Sequence, residues 1–135
     1  MTVNHLEVSC QSGKSRVTKM KASYPCKFLT TNAAGGMSAN VFILGFGGGV
    51  VSGDCQEMDV KLFEKAILIL RTQGNTKIFK SVDGKFSSQH SVFSLSDDSL
   101  LAFLPDPTSC FKGSRYYQHQ IFDMSATARS LSSGN

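Results

Sequence analysis

The sequence predicts a mainly β protein of many short strands, with few or no helices. Three observations carry that prediction. Apolar runs of about four to eight residues recur between Gly, Pro, Asn and Asp, which punctuate strands rather than helices. The pair Asp83-Gly84 is a two-residue hairpin signal, because both central positions of such a turn take positive φ. Only one serious helix candidate stands against them, Glu57–Gln73, which has no internal Gly or Pro.

In chain order, Lys19 and Lys21 alternate around Met20 as on the wet face of a strand. Asn40–Phe46 (NVFILGF) is a short apolar run with a β-branched residue near its start, closed by glycines. Within Glu57–Gln73, Val60, Leu62, Phe63 and Ala66 fit a helical stripe. Ala66–Leu70, however, is apolar on every side and equally suits a strand buried on both faces. Ala66–Ser81 then reads as strand, a turn at Gln73-Gly74-Asn75, and strand. Ser99–Pro107 is an apolar run halted by Pro105 and Pro107, and Ser114–Met124 supplies aromatic and β-branched material for one more strand. The pattern of strand, tight break and strand recurs near Val41, Ala66 and Leu100, at a spacing too uneven to define a solenoid. Residues 1–125 are expected to form one domain, and the small polar tail 126–135 to be unordered.

At 135 residues, with 41% hydrophobic and 18% charged, the chain is long enough to bury a core and unlike a disordered protein. No apolar run is long enough to span a membrane as a helix, and the polar N-terminus lacks a signal-peptide core. The expectation is a cytoplasmic protein whose four cysteines are buried or idle thiols. The net charge of +4 resides in residues 1–30, where Lys14, Arg16, Lys19, Lys21 and Lys27 face only Glu7. These cations are not interleaved with stacking aromatics, so a solvated face is expected, with neither nucleic acid nor membrane as partner.

The glycine-rich stretch Gly45–Asp54 fails as a nucleotide loop. The third glycine of G-x-G-x-x-G falls on Val50 or Ser52, and the Gly13-Lys14-Ser15 triplet has Val8 where a P-loop needs its first glycine. Gly47, Gly48, Gly49 and Gly53 are therefore read as structural, letting backbone turn and pack closely. Asp54 is a turn former or a site residue. His5, His90 and His119 show no metal-binding spacing. A thiol hydrolase pairing Cys110 with His90 or His119 lacks a helix to activate the thiol.

Three collinear stretches, GFGGGVVSGD (Gly45–Asp54), RTQGNTKIFKS (Arg71–Ser81) and LPDPTSCFKGSRYYQ (Leu104–Gln118), resemble the UreD (UreH) family of urease accessory proteins. SYPCKFL (Ser23–Leu29) and EMDV (Glu57–Val60) support the likeness, which runs from about Ser23 to Asp123. The resemblance implies strands wound into a helical β arrangement, and strand, turn and strand over Glu57–Gln73. It implies no catalysis and no tightly held cofactor. The implied role is a scaffold binding apo-urease and UreF, and through UreF the GTPase UreG, while nickel travels through an internal passage. By resemblance Asp54 is the metal candidate lining that passage. Thr76, Lys77 and Asp106 are passage or interface candidates, and Pro105 and Pro107 belong to the structural motif. Weak oxygen donors suit a conduit, which must release its ion. The family's members are roughly twice this length, so the expectation is its N-terminal half or a truncated form. The alternatives are a β-rich binding module unrelated to urease, using an exposed edge or Tyr116 and Tyr117, and a non-functional truncated copy.

Overall fold

The computed structural model describes residues 2–23, 26–31, 36–44, 55–72, 76–78, 87–105, 108–110, 112 and 116–132. Twelve strands occupy them and no helix does: β1 (Thr2–Gln11), β2 (Lys14–Lys21), β3 (Lys27–Thr31), β4 (Ala39–Leu44), β5 (Cys55–Leu62), β6 (Ile67–Thr72), β7 (Thr76–Ile78), β8 (Ser87–Leu95), β9 (Leu100–Leu104), β10 (Thr108–Cys110), β11 (Tyr116–Met124) and β12 (Arg129–Ser132). The mainly β prediction holds. Residues 57–72 are strand, turn and strand, not helix.

The strands form two five-stranded sheets and a two-stranded one. The first sheet runs β11-β8-β5-β1-β2, the second β12-β9-β6-β4-β3, and the third pairs β10 with β7. Every pairing is parallel except β1 with β2 and β3 with β4. From β5 onward the chain visits the first, second and third sheets in turn, then stacks on itself. Gln56 pairs with Gln89, 33 positions later, and Ile67 with Leu100 at the same spacing. Tyr116 lies beside Ser87, and Arg129 beside Leu100, each 29 positions on. The runs near Val41, Ala66 and Leu100 are thus successive turns of a solenoid, which their uneven spacing alone did not define.

One corner shows how the stack is built. Ala66, Ser99 and Ala128 each donate their backbone N–H to the carbonyl three residues back, on Phe63, Ser96 and Ser125. Adjacent coils are then joined by Ser96 N–H to Leu62 O and Ser125 N–H to Leu95 O. Lys65 and Asp98 occupy equivalent corner positions and both take positive φ, 64° and 57°. Small residues close the corner because the next coil lies directly against it.

The core fills the space between the two large sheets. Leu6, Val8, Met58, Val60, Leu62, Phe93 and Leu95 point in from the first, and Val41, Ile43, Leu68, Leu70, Leu101 and Phe103 from the second. Phe93 is fully buried, 5.4 Å from the Phe103 ring centre and stacked at 4.8 Å on Phe122. Ala66, Leu68 and Leu70 are buried, while Ile67 and Ile69 are half-buried, so β6 hides one face and not both. The cap is a hairpin. Ser12 (φ 51°) and Gly13 (φ 74°) make its two-residue turn, both at positive φ as such turns require.

One sequence expectation is met and one changes. Lys19 and Lys21 are exposed, as on the wet face of a strand, and Met20 between them, opposite Leu6 on the outer strand β2, is 48% exposed as well. The segment 126–135, expected to be unordered, carries β12, held by backbone pairing to β9 although all four of its side chains are exposed. The Asp83-Gly84 hairpin, the Gln73–Asn75 turn and Gly45–Asp54 lie outside the described residues.

Removing the Phe93 ring should leave a cavity between both sheets. Phe93→Ala is expected to cost about 3–5 kcal/mol in urea unfolding, against about 0.5 kcal/mol or less for the half-exposed Ile121→Ala. Equal small losses would show that the aromatic cluster does not hold the sheets together.

Candidate functional site

The interior of the solenoid is not apolar throughout. Strands β1, β5 and β8 run parallel, so their N-terminal ends meet at one end of the first sheet. There the buried positions are Asn4 on β1, Gln56 on β5, and Ser88 and Ser91 on β8. Further along the same strands the inward residues become Leu6, Met58 and Phe93 and stay apolar to the far corner. The core is therefore graded, polar where the strands begin and hydrocarbon where they end.

The polar end is only partly satisfied. Asn4 is fully buried, yet its amide donates to Glu57 O (3.2 Å) and its oxygen accepts from Ser23 N–H (2.8 Å). It ties β1 to β5 and to the segment after β2. Gln56 is 6% exposed, and among the described residues its Oε1 has no hydrogen-bond partner. A buried amide oxygen without a donor costs about 1–3 kcal/mol, so such groups are rare unless something else uses them. Chemically it is a neutral oxygen ligand, held open inside a coil.

The candidates from sequence fall around this end unevenly. Asp54, with Gly47, Gly48, Gly49 and Gly53, lies outside the described residues; in the chain it precedes Gln56 by two positions. Thr76 and Lys77 are placed by backbone in β7, beside Thr108 and Ser109 of β10, and their side chains lie outside the described part. Asp106 and Pro107 also lie outside it, and Pro105 follows β9 half-buried. The structure thus assigns no common site to Asp54, Thr76, Lys77 and Asp106. Asn4, Gln56 and Ser91 were missed because no motif contains them, although Gln56 falls between Gly45–Asp54 and Glu57–Val60. Their only signal is a polar residue at an inward position, which requires the strand register to be known.

Other sequence features resolve into structural roles. Ser15 of the Gly13-Lys14-Ser15 triplet is buried, and its hydroxyl accepts the N–H of Ile67 (2.8 Å), tying β2 to β6. Cys10 and Cys26 are free thiols, and burial pushes Cys26 up to about 11. Cys110 belongs to the third sheet, whereas His90 and His119 belong to the first; its side chain lies outside the described residues. On the outer face, His5 sits between Glu7 (Nε2 to Oε2, 2.5 Å) and Asp59 (Nδ1 to Oδ2, 3.2 Å). The hydrogen bond with His5 is the main reason that the Glu7 carboxyl is held below its ordinary value. No helix among the described residues is long and apolar enough to cross a membrane.

The comparisons with known proteins converge. A family model described as UreD urease accessory protein matches residues 3–133. Urease accessory protein D of Oryza sativa subsp. indica is 37% identical over 113 residues, covering 82% of this chain and 37% of the relative. The protein of the same name from Arabidopsis thaliana is 33% identical over 125 residues, covering 90% and 42%. Urease accessory protein UreD of an Anaeromyxobacter species is 32% identical over 126 residues, covering 93% and 42%. The chain therefore spans about two-fifths of the length of these relatives.

Two measurements test the chemistry of this interior. Gln56→Leu removes the orphaned oxygen at similar volume and should raise stability by about 1 kcal/mol in urea unfolding. A loss of that size would mean that Gln56 is held by bonds its replacement breaks. Because the Cys26 thiolate forms only as pH approaches about 11, iodoacetamide at pH 8 should label Cys26 far more slowly than Cys10, read peptide by peptide in a mass spectrometer.

Proposed function

The chain belongs to the UreD family of urease accessory proteins, and from that premise we propose that it acts in urease maturation as a non-catalytic scaffold through which nickel reaches apo-urease. The observation that carries the passage is the polar end of the interior, where Gln56 presents an oxygen unpartnered among the described residues and the buried Asn4 and Ser91 lie level with Met58, two positions further along β5. Nickel is the cargo here. A donor set of amide and hydroxyl oxygens binds such an ion weakly, so it can enter and leave, whereas a closed cage of thiolates or imidazoles would retain it. Asp54, two residues ahead of Gln56 in the chain, is the proposed acid at the mouth of that path. Thr76, Lys77 and Asp106 are assigned to its further lining or to partner contact.

In this reading the partners are apo-urease on one side and UreF on the other, with UreG recruited through UreF, in the cytoplasm. Family membership replaces the alternative of a β module unrelated to urease. The physical basis for a scaffold is the surface of the coil stack. β2 and β3 lie at one end and β11 and β12 at the other, each the outer strand of its sheet among the described residues. Sheet edges are where other chains add.

An affinity pull-down tests the reading directly. With this chain as bait, in extract holding apo-urease and the remaining accessory proteins, urease subunits or UreF are expected in the eluate. Recovery of neither by folded bait would end the scaffold assignment. The passage has its own readout, with this chain as the sole UreD-type protein during activation. Asp54→Ala and Gln56→Leu should leave partner recovery intact while lowering the nickel content and activity of the urease. Unchanged nickel loading in both variants would remove these residues from the path.

A further inference from the structure

All three histidines of the chain lie on the first sheet, and two of them are register partners. His90 on β8 pairs with His119 on β11 in the parallel ladder, and both side chains are exposed. Their ring centres are 5.8 Å apart at an interplanar angle of 78°. On the other side of His90, the register partner is Glu57 of β5. Glu57, Asp59, His90, Val92 and Ile121 line a hollow of about 400 Å³ on this face.

We propose that His90 and His119 form a two-imidazole surface site for a divalent transition-metal ion, with the Glu57 carboxylate as its nearest oxygen donor. Three physical arguments carry this. Two imidazoles sharing one ion, each at about 2.1 Å, hold their ring centres roughly 5 Å apart, so modest χ rotations of two exposed rings close the observed gap. Parallel strands fix the two Cα atoms at about 4.8 Å and place both side chains on the same face, a pre-organisation that an exposed loop lacks. Imidazole with carboxylate selects the borderline metals nickel, zinc and copper over magnesium or calcium.

Among the described residues no three metal-binding side chains already converge on one point, so water completes the coordination and exchange is easy. The sequence hides this site because its two ligands are 29 positions apart, one coil of the solenoid, and no motif spans that distance. The residues differ from those proposed for the interior path, so the two assignments stand or fall separately.

The test is calorimetric titration of the full chain with nickel chloride, repeated on His90→Ala, His119→Ala and His5→Ala. One ion is expected in the wild type. His90→Ala or His119→Ala should weaken its binding by about tenfold or more, and His5→Ala should leave it unchanged. Magnesium chloride should give no signal. Titrations of His90→Ala and His119→Ala that match the wild type would overturn the site and reduce the ring contact to packing. Dependence on His5 alone would do the same by moving the ion to the Glu7–His5–Asp59 cluster. A second readout needs no variant: paramagnetic nickel should broaden the side-chain NMR signals of His90 and His119 before those of His5, and the reverse order would also refute the assignment.

Discussion

The structure depends on the stacking of one coil on the next through parallel backbone ladders. At the repeated corner, Ser96 N–H meets Leu62 O and Ser125 N–H meets Leu95 O, and the same step is made in both coils. Once that step is fixed, each inward position is decided by register. Phe93 lies beside Val60 and Phe122, and Leu70 beside Val41 and Phe103. The apolar side chains fill the space, but the backbone sets which of them meet. In such a stack stability accumulates from contacts between neighbouring coils rather than from one central core.

That division of labour explains what could be read in the sequence. Asn40–Phe46, Ala66–Ser81 and Ser99–Pro107 announce β4, β6 and β9 because their apolar runs form the wall of the second sheet. β8 was invisible: SSQHSVFSL places Ser91 inward beside Met58, ahead of Phe93 and Leu95, so no hydrophobic alternation marks its first half. β12 was invisible for a different reason. RSLS buries none of its side chains and is a strand only because β9 offers it a ladder. The coil repeat, visible as a recurrence near Val41, Ala66 and Leu100, could not be defined as a solenoid because its constant feature is a backbone turn closed by Ala66, Ser99 or Ala128, which share only small size, and because the spacing in the second sheet alternates between 29 and 33.

The polar interior was hidden behind the same dependence on register. Gln56 immediately precedes Glu57–Gln73, the stretch whose periodicity left helix and strand open, so its inward direction could not be known until β5 was placed between β1 and β8. The three family-like motifs pointed to the right family, while their site candidates fall in β7 or outside the described residues and none on the inward face of β1, β5 or β8. Loop residues carry recognisable motifs because their backbone demands specific chemistry. A buried glutamine in a strand leaves no such signature, although it bears the larger energetic cost.

The two ends of the stack are built differently, and the difference follows from edge chemistry. At the β2 and β3 end the chain turns back antiparallel, a bulge shifts β2, and Lys14, Arg16, Lys19, Lys21 and Lys27 are exposed on the outermost strands. Charge and a bulge both oppose the addition of another strand. At the other end β11 and β12 remain parallel to their neighbours, with Ile121, Met124 and Leu131 exposed and few charges beside them. Leu131, 62% exposed, forms the outer end of a row that runs through Ala102 and Ile69. That row continues the half-buried face of the second sheet to its rim. A coil with one neighbour gains half the stacking energy of a coil with two. The β11–β12 coil is therefore the least supported part of the described structure and the face with the most to gain from cover.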